Sequence, residues 1–481
     1  MNFAIVRYLI GWMLGIESIF LLLPALTAVI YGEPELPAYL IAAAISLAGA
    51  ALLCHRKPKN TRFYAREGYV TVALCWLILA VIGALPFVLS REIPFFIDAL
   101  FETVSGFTTT GATILGDVEA LSHASMLWRC LTHWVGGMGV LVFMLIVLPL
   151  AGGHTIFLMR AESPGPSVSK MSPHMRDTAT ILYAIYFGLT VLQMILLLIG
   201  GMPLFDAICV SLGTAGTGGF GNWNDSIAHY NSAYLQNVIT VFMILFGINF
   251  SAYFLILTRK FRQAFRIEEI RVYLGVIFVF AGLIAFNVRP MFGSLRESFH
   301  HALFQVASII TTTGFSTVDF DQWPTFSRAL LVLLMFIGAC AGSTGGGIKC
   351  SRILLLGKSV KKELMCLIHP RLVRVNKMDG QRVPHEVMRS INVFVVAYAF
   401  IFILSLLIIS LNCEDLVTCF TSVATTLNNV GPGLSLCGPT CNFGFFPPLS
   451  KGVLIFDMLA GRLELFPMLL LFTPGTWQRN K

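Results

Sequence analysis

Thr108-Thr109-Thr110-Gly111 recurs later in the chain as Thr311-Thr312-Thr313-Gly314. Two looser copies, Ala215-Gly216-Thr217-Gly218-Gly219-Phe220 and Asn428-Asn429-Val430-Gly431-Pro432, complete a set of four. Counting back from the glycines gives a single register. Asp98, Asp206, His301 and Thr418 each stand 13 residues before Gly111, Gly219, Gly314 and Gly431, and six residues before each glycine stands a small residue, Ser105, Gly213, Ser308 or Thr425. The run between is apolar and too short to cross a bilayer. The pattern predicts four copies of one unit, a half-length helix followed by an extended polar strand, and internal repeats of this kind decide the fold.

The composition places these units in a membrane. Of 481 residues, 56% are hydrophobic and only 12% charged, about half the charge of a typical soluble domain. Many runs reach the roughly 20 apolar residues that a crossing helix needs. The net charge of +8 sits in short loops between apolar runs, which is the signature of membrane topology and not of a nucleic-acid surface. Most of the 11 cysteines lie inside apolar runs, where a thiol acts as a small hydrophobe. Cys437 and Cys441 lie in a loop and can pair if it faces an oxidising compartment.

Residues 3–31 and 37–54 form an initial pair of spanning helices, and the first is too long for a cleaved signal. Arg56, Lys57, Lys59, Arg62 and Arg66 follow, so that loop is cytoplasmic. The first repeat has a helix at 68–90, a half-helix at 95–107, a strand at 108–113 and a helix at 124–150. The second has these parts at 178–200, 203–214, 215–221 and 233–258, and the third at 271–289, 297–310, 311–317 and from 327, its last helix breaking at 341–347. The fourth has them at 391–411, 415–427, 428–433 and 451–472. The connectors carrying Arg160, Lys170 and Arg176, then Arg259, Lys260, Arg262, Arg266 and Arg271, then Lys349 to Arg389, all fall on one side, and every re-entrant strand opens on the other. The chain divides into a helix pair at 1–67 and repeats at 68–160, 161–268, 269–389 and 390–481. The fold class is an all-α polytopic membrane protein: two N-terminal helices plus four helix–re-entrant loop–helix repeats around a central pore, as in potassium channels.

Non-helical backbone is tolerated at membrane depth only when buried in protein or lining a water-filled cavity. A strand of threonine and glycine offers carbonyls and hydroxyls with little bulk. Four such strands about one axis give rings of oxygen dipoles able to replace the hydration shell of an alkali cation. Glycine permits the backbone angles this requires. Each half-helix aims its negative carboxyl end at the centre, and Asp98 and Asp206 cap the positive amino ends of the first two. The strand residues are Thr109, Thr110 and Gly111; Thr217, Gly218 and Gly219; Thr312, Thr313 and Gly314; and Asn429, Val430 and Gly431.

Gly342, Ser343, Thr344, Gly345, Gly346 and Gly347 interrupt an apolar helix. The spacing approaches a phosphate-binding loop, but Ile348 stands where the lysine belongs and no strand precedes it, so nucleotide binding is rejected. The segment is a hinge, a packing site or a mobile gate. Arg462 lies in an apolar helix, where arginine faces a cavity or a partner, here Glu464 or the pore. His133 reads as packing, and the adjacent His300 and His301 cannot share one helix face as metal ligands. No nucleophile–base set is found, so no enzyme is expected.

These motifs, with AGSTGGGIK at 341–349 and Ala460-Gly461-Arg462, resemble the Trk/Ktr/HKT superfamily of potassium transporters over essentially the whole chain, and most closely its TrkH type. The resemblance implies potassium uptake across the plasma membrane (the inner membrane of a Gram-negative cell) through four linked units. Gly111, Gly219, Gly314 and Gly431 would be the filter glycines, 342–347 the gate, and Arg462 a pore-facing barrier. Glycine at 111 goes with potassium over sodium. The resemblance also implies a homodimer and a cytoplasmic ring of nucleotide-binding RCK subunits of the TrkA type. For the basic loop bearing Lys358, Lys361, Lys362, Arg371, Arg374 and Lys377, two uses stay open: lipid headgroups or docking of that regulator. K⁺ is the expected cargo, with no organic cofactor and no nucleic acid. The alternative is a symporter coupled to H⁺ or Na⁺. It needs a titratable or sodium-binding group in the path, and no carboxylate falls inside the four strands.

Overall fold

A backbone deprived of water must satisfy its own hydrogen bonds, so the apolar runs fold as helices. The computed structural model describes residues 1–58, 64–147, 175–371 and 375–478. Helices α1 (Phe3–Tyr31) and α2 (Leu36–Cys54) form an antiparallel pair. The chain reverses at Gly32, whose φ of +68° suits glycine. Ser18 donates to the Ala43 carbonyl (2.9 Å) and Ser46 to the Leu14 carbonyl (2.8 Å), joining the pair across its small-residue seam.

The first repeat comprises α3 (Ala65–Leu89), α4 (Phe96–Phe107) and α5 (His123–Val147). The second comprises α6 (Met175–Ile199), α7 (Leu204–Gly216), α8 (Ala233–Phe246) and α9 (Phe250–Leu257). The third holds α10 (Glu268–Val288), α11 (Leu295–Ile310), α12 (Thr325–Phe336) and α13 (Cys350–Ile368). The fourth holds α14 (His385–Ile409), α15 (Leu416–Asn428), α16 (Pro448–Arg462) and α17 (Phe466–Leu471). The half-helices α4, α7, α11 and α15 have 12, 13, 16 and 13 residues. At 1.5 Å per residue they reach about 18–24 Å, short of the roughly 30 Å hydrocarbon core.

Packing closes the repeats into a ring. The second helix of each repeat lies against the half-helix of the next: α5 on α7, α8 on α11, α12 on α15, and α16 back on α4. The N-terminal pair packs outside the ring, against α3 and α5. Helices facing outward are apolar on both sides. In α14, Val396, Phe400, Ile403 and Leu407 are 57–70% exposed along one stripe while Phe394, Tyr398, Ile401 and Phe402 are buried. An apolar stripe of that length requires lipid.

Two helices expected to be continuous are broken, and a third breaks earlier than expected. The helix expected over 233–258 bends by 93° between α8 and α9. Gly247 ends the first part, and Asn249 caps the second through Ser251 N (2.8 Å). The last helix of the third repeat is interrupted from Ile337, earlier than expected, because Ile337 bridges to Ile348. The helix expected over 451–472 breaks at Glu464 and Leu465, whose φ values are +56° and +69°. An unanticipated hairpin, β1 (Lys377–Met378) and β2 (Gln381–Arg382), turns at Asp379-Gly380 on the basic side. Lys59, Arg62, Arg160, Lys170, Arg374 and the 160/161 repeat boundary lie outside the described residues.

Candidate functional site

All four half-helices end in one hydrogen-bond pattern. Two residues before the key glycine the backbone turns left-handed: Thr109, Thr217 and Asn429 have φ of +56° and Thr312 of +57°. The next amide bonds back to the small residue six before the glycine: Thr110 N to Ser105 O (2.9 Å), Gly218 N to Gly213 O (2.9 Å), Thr313 N to Ser308 O (2.8 Å) and Val430 N to Thr425 O (2.8 Å). This is a Schellman ending, normally built on glycine or asparagine. Only the fourth repeat uses asparagine there. A β-branched threonine at such φ costs about 1–2 kcal/mol, so the hydroxyls at 109, 217 and 312 are held against local preference.

The glycines then take positive φ themselves: +79° at Gly111, +78° at Gly219, +86° at Gly314 and +99° at Gly431. Each stands against a carbonyl of the following strand. A Cβ on Gly111 would lie 1.9 Å from Gly218 O, on Gly219 2.1 Å from Thr313 O, on Gly314 2.5 Å from Val430 O, and on Gly431 2.7 Å from Thr110 O. The cycle closes in chain order, and all four glycines line one cavity of about 120 Å³ on the outer side.

The mouth is braced by a polar belt. In the first repeat Glu102 accepts from Arg129 Nε (2.8 Å), Thr113 Oγ1 (2.9 Å) and Ile114 N (3.0 Å). In the second, Asp206 accepts from Asn222 Nδ2 (2.7 Å) and Tyr230 OH (2.6 Å). His301 meets Thr317 Oγ1 at 3.0 Å, and Thr418 Oγ1 accepts from Leu436 N at 3.3 Å. Asp98 and Asp206 are therefore not the expected caps: both stand inside the first turn, and Asp98 pairs with Lys451 (2.5 Å). The side-chain caps fall instead to Ser294 and Asp415. His133 is a strut. Its Nε2 accepts from Phe220 N (3.2 Å), which leaves Nδ1–H to donate to Gly106 O (2.8 Å).

The 341–349 segment folds against the inner ends of the strands. Gly346 N donates to Thr312 Oγ1 (2.7 Å), and a Cβ on Gly346 would lie 2.7 Å from Asn428 O. The segment also explains the bend in the second repeat, since Cys340 N bonds Gly247 O (3.0 Å) and Phe250 N bonds Gly342 O (3.0 Å). Glu269 Oε1 holds both ends of the break, accepting from Ala341 N (2.7 Å) and Ser351 N (3.0 Å). Arg462 donates to Thr344 O and to Gly136 O, each at 2.8 Å. It thus joins the fourth repeat to this segment and to α5. Glu464, the partner considered for it, pairs with Arg352 at 2.5 Å.

The arrangement has known counterparts. A family profile described as TrkH, cation transport protein, matches residues 37–478. The chain belongs to the TrkH family. A TrkH relative, the Trk system potassium uptake protein TrkH of Salmonella typhimurium, is 38% identical across 99% of this chain and 100% of its own. The Trk system potassium uptake protein TrkG of Escherichia coli is 33% identical, covering 98% of each chain. The crystal structure of the potassium transporter TrkH from Vibrio parahaemolyticus superposes with a TM-score of 0.89 at 33% identity, covering 99% of this chain and 100% of that one. TrkH-family proteins are transporters, not enzymes, and this one is a multi-pass membrane protein. Glu269 and Arg129 escaped sequence reasoning, whereas His133, read as packing, is indeed a strut. Both are buried; Arg129 stands in an otherwise apolar helix, a signal open to sequence reading, whereas Glu269 lies among the charged Arg266, Glu268 and Arg271 and carries none.

Proposed function

We propose that the chain takes up potassium across the plasma membrane through a passage along the ring axis. Thr109 to Gly111, Thr217 to Gly219, Thr312 to Gly314 and Asn429 to Gly431 form its selectivity filter. The observation that carries this is the closed cycle of four positive-φ glycines, each against the next strand's carbonyl. Oxygens so fixed can replace a cation's hydration shell, and the half-helix carboxyl ends add negative potential there. None of the twelve strand residues titrates, which supports conduction down the potassium gradient over coupling to H⁺ or Na⁺. The chain should restore growth at low potassium to a bacterium stripped of its potassium-uptake systems. Failure to do so when correctly inserted would overturn the reading.

Residues 342–347 act as the gate below the filter, with Arg462 holding it. The working units are 1–67, 68–160, 161–268, 269–389 and 390–481. As a Trk-type subunit the chain pairs as a homodimer and takes cytoplasmic nucleotide-binding RCK subunits. The basic helix α13, which follows the gate directly and carries Lys358, Lys361 and Lys362, is placed to receive a regulator or lipid headgroups.

Glu269 supplies a local test of the gate. Glu269→Ala leaves two backbone N–H groups without an acceptor, about 1–3 kcal/mol each. Amide exchange over 340–351 should rise about tenfold or more and resting cation leak should increase. Unchanged exchange would remove Glu269 from the gate.

A further inference from the structure

We propose that Cys413 and Cys419 form a disulfide on the outer face, fastening the entry of the fourth half-helix. The Cys419 thiol donates to the Cys413 carbonyl at 3.5 Å, and the Cys413 thiol to the Asp415 carbonyl at 3.7 Å. Both thiols therefore reach backbone carbonyls of one turn.

The turn they enclose supports the mouth. Asp415 caps α15, accepting from Val417 N (3.2 Å), Thr418 N (3.0 Å) and Thr418 Oγ1 (2.5 Å). Thr418 Oγ1 in turn accepts from Leu436 N (3.3 Å), just past the fourth strand. A bond between residues 413 and 419 closes a loop around this cap, so it restrains the quarter of the ring that departs most from the threonine pattern. The competing outer pair, Cys437 and Cys441, is less suited. Cys437 is buried and Cys441 exposed, and among the described residues neither thiol reaches a carbonyl of the other's turn as Cys419 reaches that of Cys413.

The charge pattern puts this turn opposite the basic loops, in the compartment where disulfides persist. Cys413, the more accessible thiol, attacks as thiolate on the disulfide of an extracytoplasmic protein thiol oxidant and forms a mixed disulfide. Cys419 thiolate displaces the oxidant's sulfur and completes the bond. The two cysteines give up two electrons and two protons, and the oxidant leaves as a dithiol.

The test uses the full chain in its native membrane. Cells are quenched with acid, free thiols are alkylated with iodoacetamide, and the protein is digested without reduction for mass mapping. Cys413 and Cys419 should appear joined, two hydrogens lighter than the dithiol, and alkylate only after reduction. Cys441 should alkylate at once. Alkylation of both Cys413 and Cys419 before reduction, or pairing of either with another cysteine, would overturn the proposal. In detergent, reductant should lower the thermal midpoint of the wild-type chain and leave Cys413→Ser/Cys419→Ser unmoved. An equal shift in both would assign the effect to other thiols. Neither arm depends on which ion crosses.

Discussion

Gly111→Ala is expected to abolish rubidium uptake and low-potassium growth. Its new Cβ would stand 1.9 Å from Gly218 O and 3.1 Å from the carbonyl carbon. No side chain can rotate away, because the obstacle is backbone. The alanine would also have to hold φ near +79°, costing about 1–2 kcal/mol, and overpacking adds about 1–3 kcal/mol. Relief comes only by moving the second strand, which displaces the oxygens that would bind the ion. The ring predicts a graded series. Alanine at Gly219 (2.1 Å) should be nearly as severe, at Gly314 (2.5 Å) milder, and at Gly431 (2.7 Å) the most tolerated. Gly357→Ala, with nothing within 4 Å of its added carbon, is the control and should transport normally. Rubidium uptake by membrane vesicles with matched protein levels reads the series. Wild-type uptake by Gly111→Ala would remove this strand from the pathway.

Arg462→Ala should act in the opposite direction and raise flux. The guanidinium donates to Thr344 O and Gly136 O, both at 2.8 Å, pinning the Gly-rich segment to α5. Hydrogen bonds from a charged donor contribute about 1.5–3 kcal/mol each. Losing both shifts a closed-to-open equilibrium by about tenfold or more, at roughly 1.4 kcal/mol per factor of ten. A fixed positive charge that raises the barrier to cations is removed at the same time. Arg462→Lys should fall between, since one ammonium lacks the two-pronged geometry needed to reach both carbonyls. Cation leak at low membrane potential measures the effect. A folded Arg462→Ala variant whose leak is unchanged or lower would sink the idea.

The repeat was legible in the sequence because its physics is local. The residue six before each glycine, whose carbonyl accepts the amide that closes the half-helix as Ser308 does for Thr313 at 2.8 Å, is small because the site is crowded: a Cβ on Gly213 would lie 2.9 Å from Phe220 O. Ser308 also shows the crowding directly, its hydroxyl donating to Phe315 O at 2.6 Å. Half-helix ends fell within two residues of their expected positions, as at Phe96–Phe107 against 95–107. The breaks at 247–249 and 463–465 were not legible. The polar residues at each, Asn249 in one and Arg462 and Glu464 in the other, stand within otherwise apolar runs of spanning length, and the first break depends on bonds from Cys340 and Gly342, about a hundred residues away in sequence. The acids at 98 and 206 misled because a carboxylate near a helix start suggests a cap. Here Lys451 and the Asn222–Tyr230 pair claim them through tertiary contacts. The 377–382 hairpin did have a signal, Asp379-Gly380, a dipeptide suited to tight turns. Among long helices it was easily passed over.

The most direct measurement is ion flux into liposomes holding the purified chain, with the potassium gradient alone as driving force, beside a Gly314→Ser variant. The four-strand account predicts rubidium uptake that potassium suppresses and sodium barely affects, needing no imposed proton or sodium gradient, with that discrimination lost in the variant. Uptake that required a proton or sodium gradient, in a chain whose Gly314→Ser variant kept full selectivity, would contradict it.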